Sequence, residues 1–378
     1  MEINEKLKHL DKSQINNLIE KYYNNEKITD LIKEFNLKCK STELVQLFPL
    51  KIFEDKLCVY CNTAMVRKYT SRTSIKGEIY CPLCFHKLES TNCSCEECNK
   101  IKRDIIIRYY NRKPKIAIEE VSLRNRIYIA TILRGMEWVD FNGNIIIHPL
   151  NITEKKLAPT LKKEIEILKV LNKDGLLSVE ENSKLDAFGG NLLEGTYAES
   201  YYVDKVRYIL NVEYSSELAN PNIDLSNVNI EELYSIYREI SLNECYEYLD
   251  NQMRKVNFKF NPGITTEEVF DDLLNKFSVG QVYNMIYNSI TNATRYYQEN
   301  KVYKNQAANS VITRCRAYGE RIIANNWELK GFNRPYDCEQ SIISGLFFNR
   351  VFPIGDRGFS FIGKYDNIEK YILEIIKE

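Results

Sequence analysis

Cys58-Val-Tyr-Cys61, Cys81-Pro-Leu-Cys84 and Cys93-Ser-Cys95-Glu-Glu-Cys98, with His86 between them, are the residues whose types and spacing can do chemistry. Seven of the chain's eleven cysteines and one of its three histidines fall in residues 58–98. Two residues between thiolates let a tight knuckle aim both sulfurs at one ion, and a second such pair completes a tetrahedron. Pro82 presets φ inside the second knuckle. Cys93, Cys95, Cys98 and His86 then supply three thiolates and an imidazole for a second tetrahedron, with Cys84 available to be shared or exchanged. Zn2+ is the expected ion. A closed four-ligand set leaves no open position for water, so its role is structural. The alternative is a disulfide framework, which belongs to oxidising compartments. The N-terminus, Met-Glu-Ile-Asn-Glu-Lys, lacks the basic start and apolar centre of a secretion signal, so a cytoplasmic location is expected.

The C-x2-C, nineteen residues, C-x2-C pattern resembles that of zinc-ribbon proteins. In such a ribbon the stretch between the pairs is a β-hairpin. Arg67, Lys68, Arg72 and Lys76, against a single acid, Glu78, would then line an exposed basic finger. The stretch after the last cysteine, Lys100 to Lys115, holds Lys102, Arg103, Arg108, Arg112 and Lys113 with Tyr109 and Tyr110 and only one acid, Asp104. Bases interleaved with aromatics suit a phosphate backbone with stacked bases. A strand over Ile105–Tyr109 flanked by solvated lysines is the plainer reading. Nucleic acid is the expected partner, with DNA favoured; a protein partner is the alternative, and no membrane is expected.

Four regions must position these groups. Residues 1–50 resemble a helix-turn-helix: Ser13 caps a helix with Ile15, Leu18, Ile19 and Tyr22 on one face, a second opens at Ile28-Thr29, and a third runs Glu43–Phe48 before Pro49. If that last helix enters a major groove, Lys38, Lys40, Thr42, Glu43 and Gln46 face DNA; otherwise the three helices are a cap that packs on the zinc module or a partner. Residues 51–116 are the zinc module. Residues 117–218 read as α+β: helices Val121–Arg134 and Leu161–Lys173, a strand at Ile145–Ile147, strands Leu176–Val179 and Tyr201–Val212, and a loop with Gly189-Gly190 and Gly195. That order resembles a winged helix with the loop as wing. Residues 219–225 form a linker. Residues 226–378 read as a helical bundle, with helices Ile230–Ser241, Leu242–Lys255, one after the Thr265-x-x-Glu268 box, one capped by Ser278, Asn305–Asn325, Glu339–Asn349 and Asn367–Lys377. Arg295, Lys301, Lys304, Arg314, Arg316 and Arg321 recur on it, as a solvated face or a binding groove. The expected fold class is mostly α within α+β.

Composition bounds the function. Lys plus Arg equals Asp plus Glu at 52 each, so no global basic coat exists, though a local basic face can. No apolar run approaches the roughly 18 residues that cross a bilayer. The 26 tyrosines read mainly as a low-GC coding bias, with stacking platforms for bases the lesser reading. His9 and His148 are scattered, and neither a P-loop nor a G-x-S-x-G elbow is present. Gly355-Asp-Arg-Gly358 reads as a turn, and Cys245, Cys315 and Cys338 read as core. The layout resembles accessory proteins of bacterial mobile elements or phage defence. The expectation is a zinc-stabilised nucleic-acid-binding accessory or regulatory protein without catalysis. The alternatives are a metal-dependent nuclease of such a system and a protein–protein scaffold with structural zinc.

Overall fold

The computed structural model describes residues 3–215, 217–221 and 223–377. They are mixed α and β, and mostly helical. The chain forms two compact units: residues up to Tyr109 with Leu185–Tyr201, and Tyr110–Lys184 with the residues from Tyr202 onward. Asn222 of the expected linker lies outside the described residues.

The first unit starts with α1 (Lys12–Tyr23), α2 (Ile28–Glu34) and the single-turn α3 (Leu44–Leu47). Asp11, not Ser13, caps α1: its carboxylate accepts from the Gln14 N–H while the Gln14 side chain accepts from the Asp11 N–H. Leu18, Leu31 and Leu44 meet at 0% exposure in the core of the three helices. The expected third helix shortens because Glu43 is engaged in a turn, accepting from the Lys40 N–H and pairing with Lys6 at 3.3 Å. A three-stranded antiparallel sheet follows: β1 (Lys51–Leu57), β2 (Ala64–Arg67) and β3 (Ile79–Tyr80), in that order. Next comes α4 (Glu96–Tyr109). The strand considered over Ile105–Tyr109 is therefore helix. Ile106 buries with Lys102 and Cys98 at i+4 and i+8 spacing, a helical period that outweighs the β preference of the isoleucines.

The second unit holds α5 (Leu123–Gly135), β4 (Trp138–Phe141), β5 (Asn144–Ile147), α6 (Leu161–Lys173), β6 (Leu177–Val179) and β7 (Tyr208–Leu210), the strands forming an antiparallel sheet in the order β4-β5-β7-β6. Ser122 and Thr160 cap α5 and α6. β4 was not expected; it pairs with β5 across Asn142-Gly143, both at positive φ. Strand β7 is shorter than the expected Tyr201–Val212, because the chain turns after Tyr202, whose carbonyl accepts from the Lys205 and Val206 N–H groups. The glycine-bearing loop read as a wing is part of that first unit, where Leu192 packs on the second cysteine group.

The rest is helical: α7 (Ile230–Lys255), α8 (Ile264–Leu274), α9 (Val279–Glu299), α10 (Lys304–Ala324), α11 (Ile342–Leu346) with a π turn at Phe347–Val351, and α12 (Tyr365–Lys377). The break expected at Ser241-Leu242 does not occur. Ser241 is buried, and the apolar side of α7 continues from Ile240 to Cys245 and Leu249. The Thr265-x-x-Glu268 box is displaced: α8 opens after Gly263, whose N–H donates to Thr266 Oγ1 at 3.4 Å. Ser278 caps α9 as expected, through a capping box with Gln281. Cys245, Cys315 and Cys338 are fully buried in the bundle core. No helix among the described residues is long and apolar enough to cross a membrane.

Candidate metal centres

Cys58 and Cys61 project from the turn between β1 and β2, Cys81 and Cys84 from the turn after β3. The two knuckles are built alike. The Cys58 N–H donates to the Thr63 carbonyl at 2.9 Å, and the Cys81 N–H to the His86 carbonyl at 2.7 Å. The Asn62 N–H returns to the Cys58 carbonyl, and the Phe85 N–H to the Cys81 carbonyl. Each knuckle closes on a left-handed residue, Asn62 at φ 55° and Phe85 at φ 59°. Asparagine tolerates this region, but a bulky aromatic is strained there. Phe85 is nonetheless 67% exposed.

The sulfurs lie where one ion would need them. Cys61 is 3.3 Å from Cys81 and 3.7 Å from Cys84, and Cys58 is 3.5 Å from Cys84. A tetrahedron with Zn–S of about 2.3 Å has edges of about 3.8 Å. In the second group His86 Nδ1 is 3.5, 3.7 and 3.4 Å from the sulfurs of Cys93, Cys95 and Cys98. A Zn–N bond of about 2.0 Å with Zn–S of about 2.3 Å predicts about 3.5 Å between such ligand atoms. Each group keeps its four ligand atoms within 4.8 Å of one another, and Cys84 belongs to the first alone. All eleven cysteines are free thiols, so no disulfide framework exists. Both groups can hold a metal ion.

Electrostatics point the same way. Hydrogen bonds from Thr63 and the neighbouring Cys81 pull the Cys61 thiol down to about 6. Burial first, then the surrounding thiols, pushes Cys84 up to about 12. Burial also takes Cys98 to about 12 and lowers His86, favouring its neutral, ligating form. Four packed thiols cannot all ionise unless a cation joins them. Backbone N–H groups already face the sulfurs: Leu83 and Cys84 donate to Cys81, Lys87 to Cys93 and Cys98 to Cys95.

The two groups share parts. His86 closes the second knuckle of one set through its carbonyl and offers Nδ1 to the other. Tyr60, inside the first knuckle, hydrogen-bonds through its hydroxyl with Cys98 Sγ at 3.5 Å and packs edge-on against the His86 ring at 4.8 Å. Such outer contacts orient ligands and tune affinity. Tyr60 carries no sequence pattern that marks this role.

Comparison with protein-family models, with curated proteins and with solved structures finds no match.

The nine basic residues picked from sequence do not all face solvent. Lys102 is 9% exposed; it donates to the Cys93 carbonyl at 2.8 Å and lies over the Tyr197 ring. Its place on the buried face of α4 makes it a brace of the second group. Arg72 is held 4.3 Å from the Tyr22 ring and donates to the Glu26 carbonyl at 2.7 Å. The hairpin loop therefore packs back on α1, with Tyr23 donating to the Thr70 carbonyl, and is not a free finger along its length. Arg103 is half-buried. Arg108 is exposed and bonds its own helix at the Asp104 carbonyl. Lys68 and Lys76 are exposed. Arg112 and Lys113 belong to the second unit, Arg112 at 3.8 Å from Glu181 and Lys113 over Gly175.

A cluster the sequence reading missed lies on β1 and β2. Lys51, Lys56 and Arg67 surround the Phe53 ring at 5.4, 5.9 and 5.3 Å. Lys51 and Arg67 are cross-strand partners, a like-charge pair that opposes sheet formation. A register shift between Phe53 and Leu57 accompanies the approach of Lys56 to the ring. The i, i+2 pair Lys51/Phe53 was visible in sequence; the strand pairing that adds Arg67 was not.

Proposed function

We propose that this chain is a nucleic-acid-binding protein in which two structural Zn2+ ions rigidify the N-terminal unit. Thiolate and imidazole donors at tetrahedral spacing are the ligands this ion takes, and with four protein ligands each there is no position for a reacting water. The ions' part is to hold the β1–β3 sheet and α4 as a platform. The observation that carries the binding role is the Lys51, Lys56 and Arg67 cluster about Phe53. Three cations held around one aromatic, in no ion pair with a carboxylate among the described residues, form a face for phosphate and a stacked base. Lys68 and Lys76, on the loop between β2 and β3, are exposed as well.

The test is fluorescence anisotropy with labelled single- and double-stranded DNA and single-stranded RNA, at 50 and 200 mM salt. Three phosphate contacts to a single strand predict about a twentyfold loss of affinity over that range. The variant K51Q/K56Q/R67Q is expected to bind weakly and to lose most of the salt dependence. Binding that ignores both salt and these substitutions sinks the reading. Zinc content is measured on the same preparation by atomic emission; a protein free of zinc removes its structural half.

A further inference from the structure

We propose that a cleft between α9 and α10 binds a ligand carrying two phosphoryl groups, clamped by Arg314 and Arg321. This cleft, of about 370 Å³, is lined by Asn288, Ser289 and Asn292 from α9 and by Arg314, Tyr318 and Arg321, with Ala317, from α10. No Asp or Glu lines it. The wall offers two guanidinium groups and the Asn292 amide, a net positive surface that selects an anion, while Asn288 spends its amide N–H groups on Asn284 within α9.

Arg314 is half-buried and tied to the facing helix, whereas Arg321 is exposed and steadied only by its own helix. Arg314 Nε donates to Ser310 Oγ at 3.1 Å, and its guanidinium lies 5.3 Å from the Tyr296 ring on the facing helix. Arg321 Nε donates to the Ala317 carbonyl at 3.3 Å, and its guanidinium lies 5.8 Å from the Tyr318 ring. Each anchoring bond uses Nε, and neither residue pairs with a carboxylate among the described residues, so the terminal Nη donors are left for a partner. A bidentate fork of this kind matches phosphate geometry, and fixing it in advance lowers the ordering cost of binding.

Spacing sets the ligand class. Seven residues along a helix advance about 10.5 Å, and both side chains bond four residues back along α10. Their guanidiniums therefore stay about two turns apart, too far to grip one phosphate together but suited to two linked ones. Those come either as a free diphosphate-bearing molecule or as neighbouring phosphates of a nucleic-acid strand. The cleft stands whether or not the β1–β2 face binds nucleic acid.

The test uses the full-length protein, with isothermal titration of pyrophosphate and of a short single-stranded thymidine oligonucleotide. At least one is expected to bind. Pyrophosphate binding assigns a free ligand; binding of the oligonucleotide alone assigns a strand. In R314Q/R321Q the affinity is expected to fall at least tenfold, and in A317E, which places a carboxylate in the cleft, by a similar factor. A317E leaves both arginine anchors intact, so it decides the matter if the double variant folds poorly. K51Q/K56Q/R67Q should leave pyrophosphate binding unchanged, which separates this cleft from the N-terminal face. Failure of the wild type to bind either probe overturns the proposal, as does affinity within twofold of wild type in A317E.

Discussion

The metal-ligand region and the C-terminal bundle hold their shapes by different means. Around the first cysteine group the buried apolar set is Met65 with the ligand sulfurs of Cys58 and Cys81. Around the second it is the three cysteines with Leu192 against them. The bundle instead buries a continuous core in which Phe270, Val282, Tyr283, Ile286, Val311 and Cys315 are all shut off from solvent. Segments this short cannot bury enough apolar surface to offset chain entropy, and ligand bonds to an ion supply what is missing. The two metal-ligand groups therefore lie where the core is thin.

The sharpest way to break this comparison is to strip the metal. Chelation, or Cys81→Ala, should unfold residues 51–109 and remove about 10 kcal/mol or more of apparent stabilisation. The bundle's melting transition should stay where it was. Calorimetry showing one transition that moves as a whole would refute the division.

The converse experiment strikes the bundle. Glu244 is 1% exposed and accepts from Arg334 at 2.7 Å and from Ser344 at 2.8 Å. Glu244→Ala leaves the half-buried Arg334 cation without its carboxylate and Ser344 without its acceptor, at a cost of about 3 kcal/mol. Zinc content and the first transition should be unaffected; loss of zinc from this variant would contradict the separation.

A smaller effect sharpens the account of the metal region itself. Tyr60→Phe removes the hydroxyl that reaches Cys98 and keeps the ring against His86. Zinc affinity at the second group should drop by about tenfold, in the range typical of outer-contact losses, with the first group unchanged. Chelator competition followed by native mass spectrometry would show one ion leaving first. Simultaneous loss of both ions at wild-type chelator concentration would rule this role out.

Acidification gives the smallest and most divergent response. Burial raises the carboxyls of Glu164 and Glu247 above their usual value, against the pull of backbone N–H groups and of Lys156. A raised folded-state pKa means that this contribution is present below the unfolded pKa and is lost as pH rises through the folded value. Lowering pH from 7 toward 5 should therefore lift the melting temperature of the second unit, which holds both carboxyls, by a few degrees at most, about 2–4 °C per kcal/mol. Over the same interval protons compete for the thiolates, so the metal region should lose stability. Melting temperatures that fall together would argue against this assignment of the raised carboxyls.

The cysteine spacing was legible because ligand geometry is local: a C-x2-C turn points its sulfurs together wherever it sits. The helices α6 and α9 were legible for a similar reason, since Thr160 and Ser278 mark their starts and the apolar period runs unbroken. What failed were readings that depended on partners distant in sequence. Lys102 and Arg72 look the same in sequence as Lys68 and Lys76, yet the first two are held against Cys93, Tyr197, Tyr22 and Glu26.

The amino-acid sequence alone determined the eight candidate metal donors, the helical class of the second half and the Ser278 cap of α9, since each is set by residues close along the chain. Tertiary structure decided which charges are free, by bringing Lys51, Lys56 and Arg67 to one ring and Arg314 and Arg321 to one cleft. It also placed Leu185–Tyr201 with the N-terminal unit. Charge is a property of a residue, but its availability depends on what the rest of the chain sets beside it, and that is settled only when distant segments pack.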